Sequence, residues 1–226
     1  RRLLQPGFHK QKIAGFADIM VARTQRRLAK WREQGTELTV DLHAEMMALT
    51  LEIVGECLFS TDLSSETEEV GVSLGHVLHM TNHYINELVP LPLWIPTPFA
   101  RRFRKELAVL DRSVFQIIQN RLHAEPAEPS DLLGMMISAH AQGDEQSDDK
   151  GFSLQELRDE VMTLFLAGHE TTANALSFTF LLLSQNPQVA EQLHAETLRT
   201  LGNRTPTAAD VPQLGYAKQV AEETLR

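Results

Sequence analysis

Apolar residues recur at mixed three- and four-residue spacings through most of the chain, and this period predicts a protein built almost wholly of helices. Over residues 8–34 the positions Phe8, Ile13, Phe16, Ile19, Met20 and Leu28 are separated by Lys and Arg, the pattern of one long amphipathic helix, and Gly35 stands where a helix stop prefers it. Residues 36–42 instead alternate polar with apolar over a strand-like length, so a minor β component is expected there. Helical composition returns over 43–60 with Met46, Met47, Leu49, Leu51, Ile53, Val54 and Leu58. A polar run at 61–69 then separates it from a helix reaching about Leu88. Between Val89 and Phe99 four prolines forbid a regular helix, while the bulky apolar residues and Trp94 favour burial or contact. Further helices are expected at 99–123 and 131–140, followed by an acidic loop at 143–151.

Ser153 followed three residues later by Glu156 is a capping box, and it opens an apolar stretch that reaches about Gln185. A helix of that length spans roughly 48 Å, and one so apolar on all faces is expected to run through the middle of the protein. A membrane span is disfavoured, because His169, Glu170, Thr171, Thr172 and Asn174 gather near its centre, where polar and charged groups are costly in lipid. Asn186 and Pro187 supply an N-cap and a first-turn proline for the next helix, and a last helix starts near Tyr216. Without a repeat or a shift in composition, residues 1–226 read as a single domain.

With 42% apolar and 23% charged residues the chain is globular rather than disordered. Twenty-one Lys and Arg against thirty Asp and Glu give a net charge of −9, which argues against nucleic acid as a partner. A single cysteine, Cys57, makes no internal disulfide, and no Cys/His set has zinc-finger spacing, so a reducing, cytoplasmic setting is expected. The chain opens Arg1-Arg2-Leu3-Leu4-Gln5-Pro6 and closes in Glu222-Glu223-Thr224-Leu225-Arg226, and it is read as an internal piece of a longer protein.

Chemistry concentrates in Ala167-Gly168-His169-Glu170-Thr171-Thr172. Ala167 and Gly168 remove bulk so that something flat or large can lie against the helix, at a helix-propensity cost of about 1 kcal/mol for the glycine. Thr171 and Thr172 can bond back to carbonyls a turn earlier, and a buried Glu170 reached by water is a proton source. The same residues also suit a glycine-bearing helix crossing with a capped glutamate, and local physics leaves the two readings level. A zinc His-Glu-x-x-His site fails because residue 173 is Ala. His76, His79 and His83 share one helical face and could hold a zinc or copper ion, but a partly exposed face of neutral histidines is the favoured reading, because no acidic or Cys partner has matching spacing. Glu223 and Arg226, three apart, form an ordinary ion pair by themselves.

Taken together, the Ala167–Thr172 segment and the downstream Glu223-x-x-Arg226 element resemble the cytochrome P-450 superfamily, the haem-thiolate monooxygenases. The opening Arg-Arg-Leu-Leu-Gln-Pro-Gly-Phe looks like the end of that family's haem-flanking helix, and the Gly-His-Glu-Thr-Thr wording is similar to its bacterial fatty-acid hydroxylase branch. The resemblance implies a mainly α, partial cytochrome P-450 fold with a long central helix, lacking the N-terminal β-rich part and the C-terminal haem-Cys loop. It implies haem b lying against Ala167 and Gly168, with Arg1 reaching a propionate. Thr171 would hold the water that protonates dioxygen, Glu170 would serve the proton path, and Glu223 with Arg226 would be structural. The activity implied is insertion of one atom of dioxygen into a hydrophobic substrate, with electrons from a ferredoxin or flavoprotein reductase and the proline-rich 89–99 segment as a lid. The family's axial cysteine lies outside the chain, and Cys57, early and in an apolar helix, is no substitute, so the piece alone is expected to be inactive. The rival readings are a non-catalytic helical binding module using the apolar connector, and a metal protein using His76, His79 and His83.

Overall fold

A computed structural model describes residues 10–35, 37–64, 67–123, 131–141 and 153–226. Among the described residues eight α-helices run in order: α1 (Lys10–Glu33), α2 (Leu42–Phe59), α3 (Thr67–Ile85), α4 (Pro98–His123), α5 (Leu132–Ala141), α6 (Leu154–Gln185), α7 (Pro187–Leu201) and α8 (Gly215–Thr224), with a 3₁₀ turn at Ala208–Gln213 between the last two. The mainly α expectation holds. No strand occurs among the described residues, and residues 37–41 of the alternating segment are irregular. A strand needs a neighbouring backbone, and here Asp41 is drawn into the next helix instead: its carboxylate accepts from the Ala44 N–H at 3.0 Å as the N-cap of α2. Gly35 ends α1 with φ +113°, a conformation that disfavours any side chain. The acidic loop expected at 143–151 lies outside the described residues.

The described residues of 58–167 pack as one compact unit and those of 5–57 and 168–226 as another. In the first, α3 lies along α4, and Leu74, Leu110, Ile118, Leu133, Met136, Leu157 and Val161 are almost completely buried. Phe59 stacks on Phe165 with centroids 4.8 Å apart. Asp131 caps α5 by accepting from the Gly134 N–H at 2.7 Å and also binds Arg121 at 2.9 Å, and Asp111 pairs with Arg158 of α6.

In the second unit α1 and α2 are joined by a ladder of charges. Arg27 reaches Glu52 at 2.6 Å and Glu45 at 3.2 Å, Arg23 binds Glu56 and lies 3.7 Å from Glu52, and the Trp31 indole donates to Glu45 at 2.9 Å. Arg23 and Glu52 are buried, so the ladder is internal structure, not a surface decoration. Glu196 of α7 accepts from the Tyr216 and Ala217 N–H groups at 2.7 and 2.9 Å and so caps α8 from another helix. Those two donors hold its carboxyl below the usual range.

The long helix α6 begins at the expected capping box, with Ser153 N–H donating to Glu156 at 2.8 Å and Glu156 N–H to the Ser153 hydroxyl at 3.2 Å. Its enclosure differs from expectation. Leu157, Val161, His169 and Ala173 are buried, but Phe178, Phe180, Leu181 and Leu182 are exposed, so its last turns are not covered on all faces. Asn186 is the N-cap of α7 as expected, its carbonyl accepting from the Val189 and Ala190 N–H groups at 3.0 and 3.2 Å with Pro187 at the first turn, but its side chain makes no cap bond and its amide donates back to the Leu182 carbonyl at 2.9 Å, closing α6.

Candidate functional site on the long helix

The six residues singled out in the sequence occupy the middle of α6, and helical geometry sends them in different directions. Ala167 and Thr171, one turn apart, are exposed and short, so α6 presents a low face there. Glu170 is half-buried, and His169 is completely buried.

Gly168 has a specific neighbour. A Cβ at this position would stand 2.9 Å from Val54 Cγ2 of α2, closer than real carbon atoms approach. The space at the missing side chain is therefore occupied by a helix crossing. The crossing continues through Thr50, whose hydroxyl donates to the Met46 carbonyl at 2.9 Å and to the His169 carbonyl at 3.1 Å. Met46, Thr50 and Val54 follow one another at four-residue spacing and form the α2 ridge that meets α6. Thr50 was missed in the sequence; its position on that ridge was the available signal. Met46, Leu49 and Ala173 form the buried centre, with Trp31, Ile53 and Leu176 against it.

His169 makes no hydrogen bond of ordinary geometry through either ring nitrogen among the described residues. Burial pushes its pKa down from 6.5 to about 4, His43 pushes the same way, and the Met47 carbonyl opposes them. It is a neutral core histidine. Gly168, Thr172, Leu176 and Phe180 line an apolar cavity of about 440 Å³ with Leu28 and Trp31 of α1 and Leu49 and Ile53 of α2. Arg27 also borders it, but its guanidinium is committed to Glu45 and Glu52.

The downstream pair is also in place. Arg226 Nε lies 3.5 Å from Glu223 Oε2, both side chains largely exposed, and the Thr179 hydroxyl of α6 meets the Thr224 hydroxyl of α8 at 3.2 Å. Arg1 lies outside the described residues. Cys57 is buried on α2, and burial followed by the Glu56 charge raises its thiol to about 11, so it is no thiolate. The three histidines do not converge: His76 lies 3.3 Å from Glu106, His83 lies 3.3 Å from Glu87, and no cluster able to hold a metal ion occurs among the described residues. The metal-protein reading is thereby corrected, because residues that share a helical face still diverge unless a second element closes on them.

A mainly helical chain with small, acidic and hydroxyl residues at the middle of its longest described helix, and an acid–arginine pair at the end of a helix bonded to that helix's later turns, has the arrangement resembled in the sequence. The family profile described as Cytochrome P450 matches residues 1–226. Cyclooctatin synthase of Streptomyces melanosporofaciens is 35% identical, covering 100% of this chain and 48% of that protein. Cyclooctat-9-en-7-ol 5-monooxygenase of the same organism is 34% identical with the same coverage, and the putative cytochrome P450 132 of Mycobacterium tuberculosis (strain ATCC 25618 / H37Rv) is 29% identical over 100% of this chain and 50% of its own length. The chain belongs to the cytochrome P450 family. It spans about half the length of the curated relatives it matches.

Haem is the group that this family implies. The exposed, short Ala167 and Thr171 fit one wall against which a flat macrocycle can lie, whereas the buried Cys57 does not fit the axial thiolate.

Proposed function

We propose that the protein containing this chain is a haem-dependent monooxygenase acting on a hydrophobic substrate. The observation that carries this reading is the exposed Ala167–Thr171 face on α6 in a chain of the cytochrome P450 family. Bound there, haem supplies the activation of dioxygen. Ala167 keeps the face low enough for the ring. The Thr171 hydroxyl, one turn along, holds a water at the open face and passes a proton from it. The half-buried Glu170 is the local carboxylate that can renew that proton from solvent. Glu223 and Arg226 serve the structure around α8, and Arg1, outside the described residues, would pair with a haem propionate. The chain is one part of a single cytochrome P450 domain, and alone it lacks the thiolate. Reduced, haem-loaded chain exposed to carbon monoxide is expected to show no thiolate-type Soret band; such a band would overturn this part of the proposal.

A fatty-acid substrate rests on the Gly-His-Glu-Thr-Thr wording, and cyclooctat-9-en-7-ol is named by a 34% identical relative. Both are test substrates for the full-length protein, with a ferredoxin or flavoprotein reductase as donor and residues 89–99 as the lid. The decisive experiment is Thr171→Ala, comparing NAD(P)H consumed, product formed and hydrogen peroxide released. Product per NAD(P)H is expected to fall and peroxide to rise. Unchanged coupling would remove Thr171 from the proton path.

A further inference from the structure

The α2 ridge that meets α6 carries one polar side chain, Thr50, between Met46 and Val54. Thr50 is 2% exposed, and its hydroxyl has three carbonyls within reach: Met46 and Met47 of its own helix at 2.9 and 3.2 Å, and His169 of α6 at 3.1 Å. A buried hydroxyl needs an acceptor, and a helical threonine finds one a turn back, as Thr24, Thr163 and Thr197 do at Met20, Asp159 and Leu193. Burial alone is therefore satisfied inside α2. The reach to His169 is an additional bond, made between two helices.

The His169 carbonyl shares one rigid peptide plane with the Glu170 N–H, so this bond acts on the backbone immediately before Glu170 and Thr171. The neighbouring contacts limit α6 differently. Val54 against Gly168 sets how near the two helices come, and the fully buried His169 ring fills the core without a hydrogen bond of ordinary geometry among the described residues. Neither contact is directional. The Thr50 bond is, because a hydrogen bond weakens steeply as its angle departs from line. At about 100° per residue, Thr171 stands about 200° around α6 from His169, on an exposed side of the helix. A rotation of α6 by about 20° would carry a side-chain tip about 5–6 Å from the axis through about 2 Å. A misplacement of about 1 Å at a reacting group costs up to about 100-fold in rate.

We propose that Thr50 is a positioning residue for the proton path: by holding the His169 carbonyl, its hydroxyl fixes the rotation of α6 and so the place of the Thr171 hydroxyl. It acts through the backbone of α6 and not on the reacting groups. The inference rests on the proton-path reading of Thr171. A Thr50 that served only the packing of α2 against α6 would be replaced without loss by valine, which has the same branched shape and suits an apolar crossing lined by Met46, Leu49 and Ala173.

Thr50→Val keeps the shape and removes the donor, while Thr50→Ser keeps the donor. Both are made in the full-length holoenzyme beside Thr171→Ala, with the carbon monoxide spectrum and far-UV circular dichroism as checks on folding. Product formed per NAD(P)H consumed is expected to fall about fivefold in Thr50→Val, with peroxide rising in step, and to stay within about twofold of the unaltered enzyme in Thr50→Ser. Amide hydrogen exchange over residues 169–174 of the same proteins gives a reading free of turnover. It is expected to quicken about fivefold in Thr50→Val and not in Thr50→Ser, with α7 unchanged. Unchanged coupling in Thr50→Val overturns the inference, as does unchanged exchange. An equal loss of coupling in both variants also overturns it, by assigning the effect to shape instead of the hydroxyl. Thr171→Ala separates the two readings: if it uncouples and Thr50→Val does not, this inference alone falls, and if Thr171→Ala leaves coupling unchanged, the proton-path reading falls and takes this inference with it.

Discussion

Replacing Gly168 by alanine separates two explanations of the same residue. If the glycine serves the crossing of α2 and α6, the new Cβ arrives 2.9 Å from Val54 Cγ2 and 3.7 Å from Cγ1. Carbon pairs are most stable near 3.5–4.0 Å, so several tenths of an ångström must be found. Val54 is buried and β-branched, and a helix allows it essentially one rotamer, so the helices themselves must part. Overpacking of this kind costs about 1–3 kcal/mol, while alanine regains about 1 kcal/mol of helix propensity. Gly168→Ala is therefore expected to destabilise by about 0–2 kcal/mol. Val54→Ala alone loses roughly 1.5 kcal/mol of burial, with a further cavity term. In the double variant the new methyl occupies the space Val54 vacated, so the two losses should fall short of additive by about 1–2 kcal/mol. Urea unfolding of the four proteins, followed by far-UV circular dichroism with unchanged m, measures that coupling. Additivity within about 0.5 kcal/mol would refute the crossing explanation. So would a stabilised Gly168→Ala, the result for a glycine kept clear only for a ligand.

Two other expectations follow from buried charge and burial of a base. His169 is held near 4 in the folded chain against 6.5 unfolded, so the unfolded state binds the extra proton between those values. Stability should thus fall as pH drops from about 6.5 to about 4, by about 1.4 kcal/mol per pH unit and about 3 kcal/mol in all. His169→Leu should remove this component, and a wild-type-minus-variant difference that is flat with pH would refute it. Glu52→Ala leaves Arg23 and Arg27 short of their shared carboxylate. It should cost about 3 kcal/mol, the lower end for a broken buried pair because Glu56 and Glu45 remain. A loss below about 1 kcal/mol in urea unfolding would mean that the ladder is solvated.

Much of this molecule was legible from local pattern. The helix of α6 from its capping box to Gln185, the stop at Gly35, the proline-broken connector and the inert Cys57 all depend on neighbours within a few residues. So does the Ala167–Thr172 wording, which signalled the family before any fold was known. What only the tertiary structure decided depends on residues far apart in the chain. Residues 36–42 have the alternation of a strand, but alternation supplies no partner backbone, and Asp41 went to a helix cap. Asn186 capped α7 with its backbone carbonyl, while its side-chain amide bonded backward to α6. Glu196 caps α8 only because the fold brings the Tyr216 and Ala217 N–H groups to it. Gly168 looked like room for a ligand until α2 placed Val54 there. Short-range spacing fixes which face a side chain takes on its own helix; which atom meets that face depends on packing between segments whose separation in the chain carries no local signal.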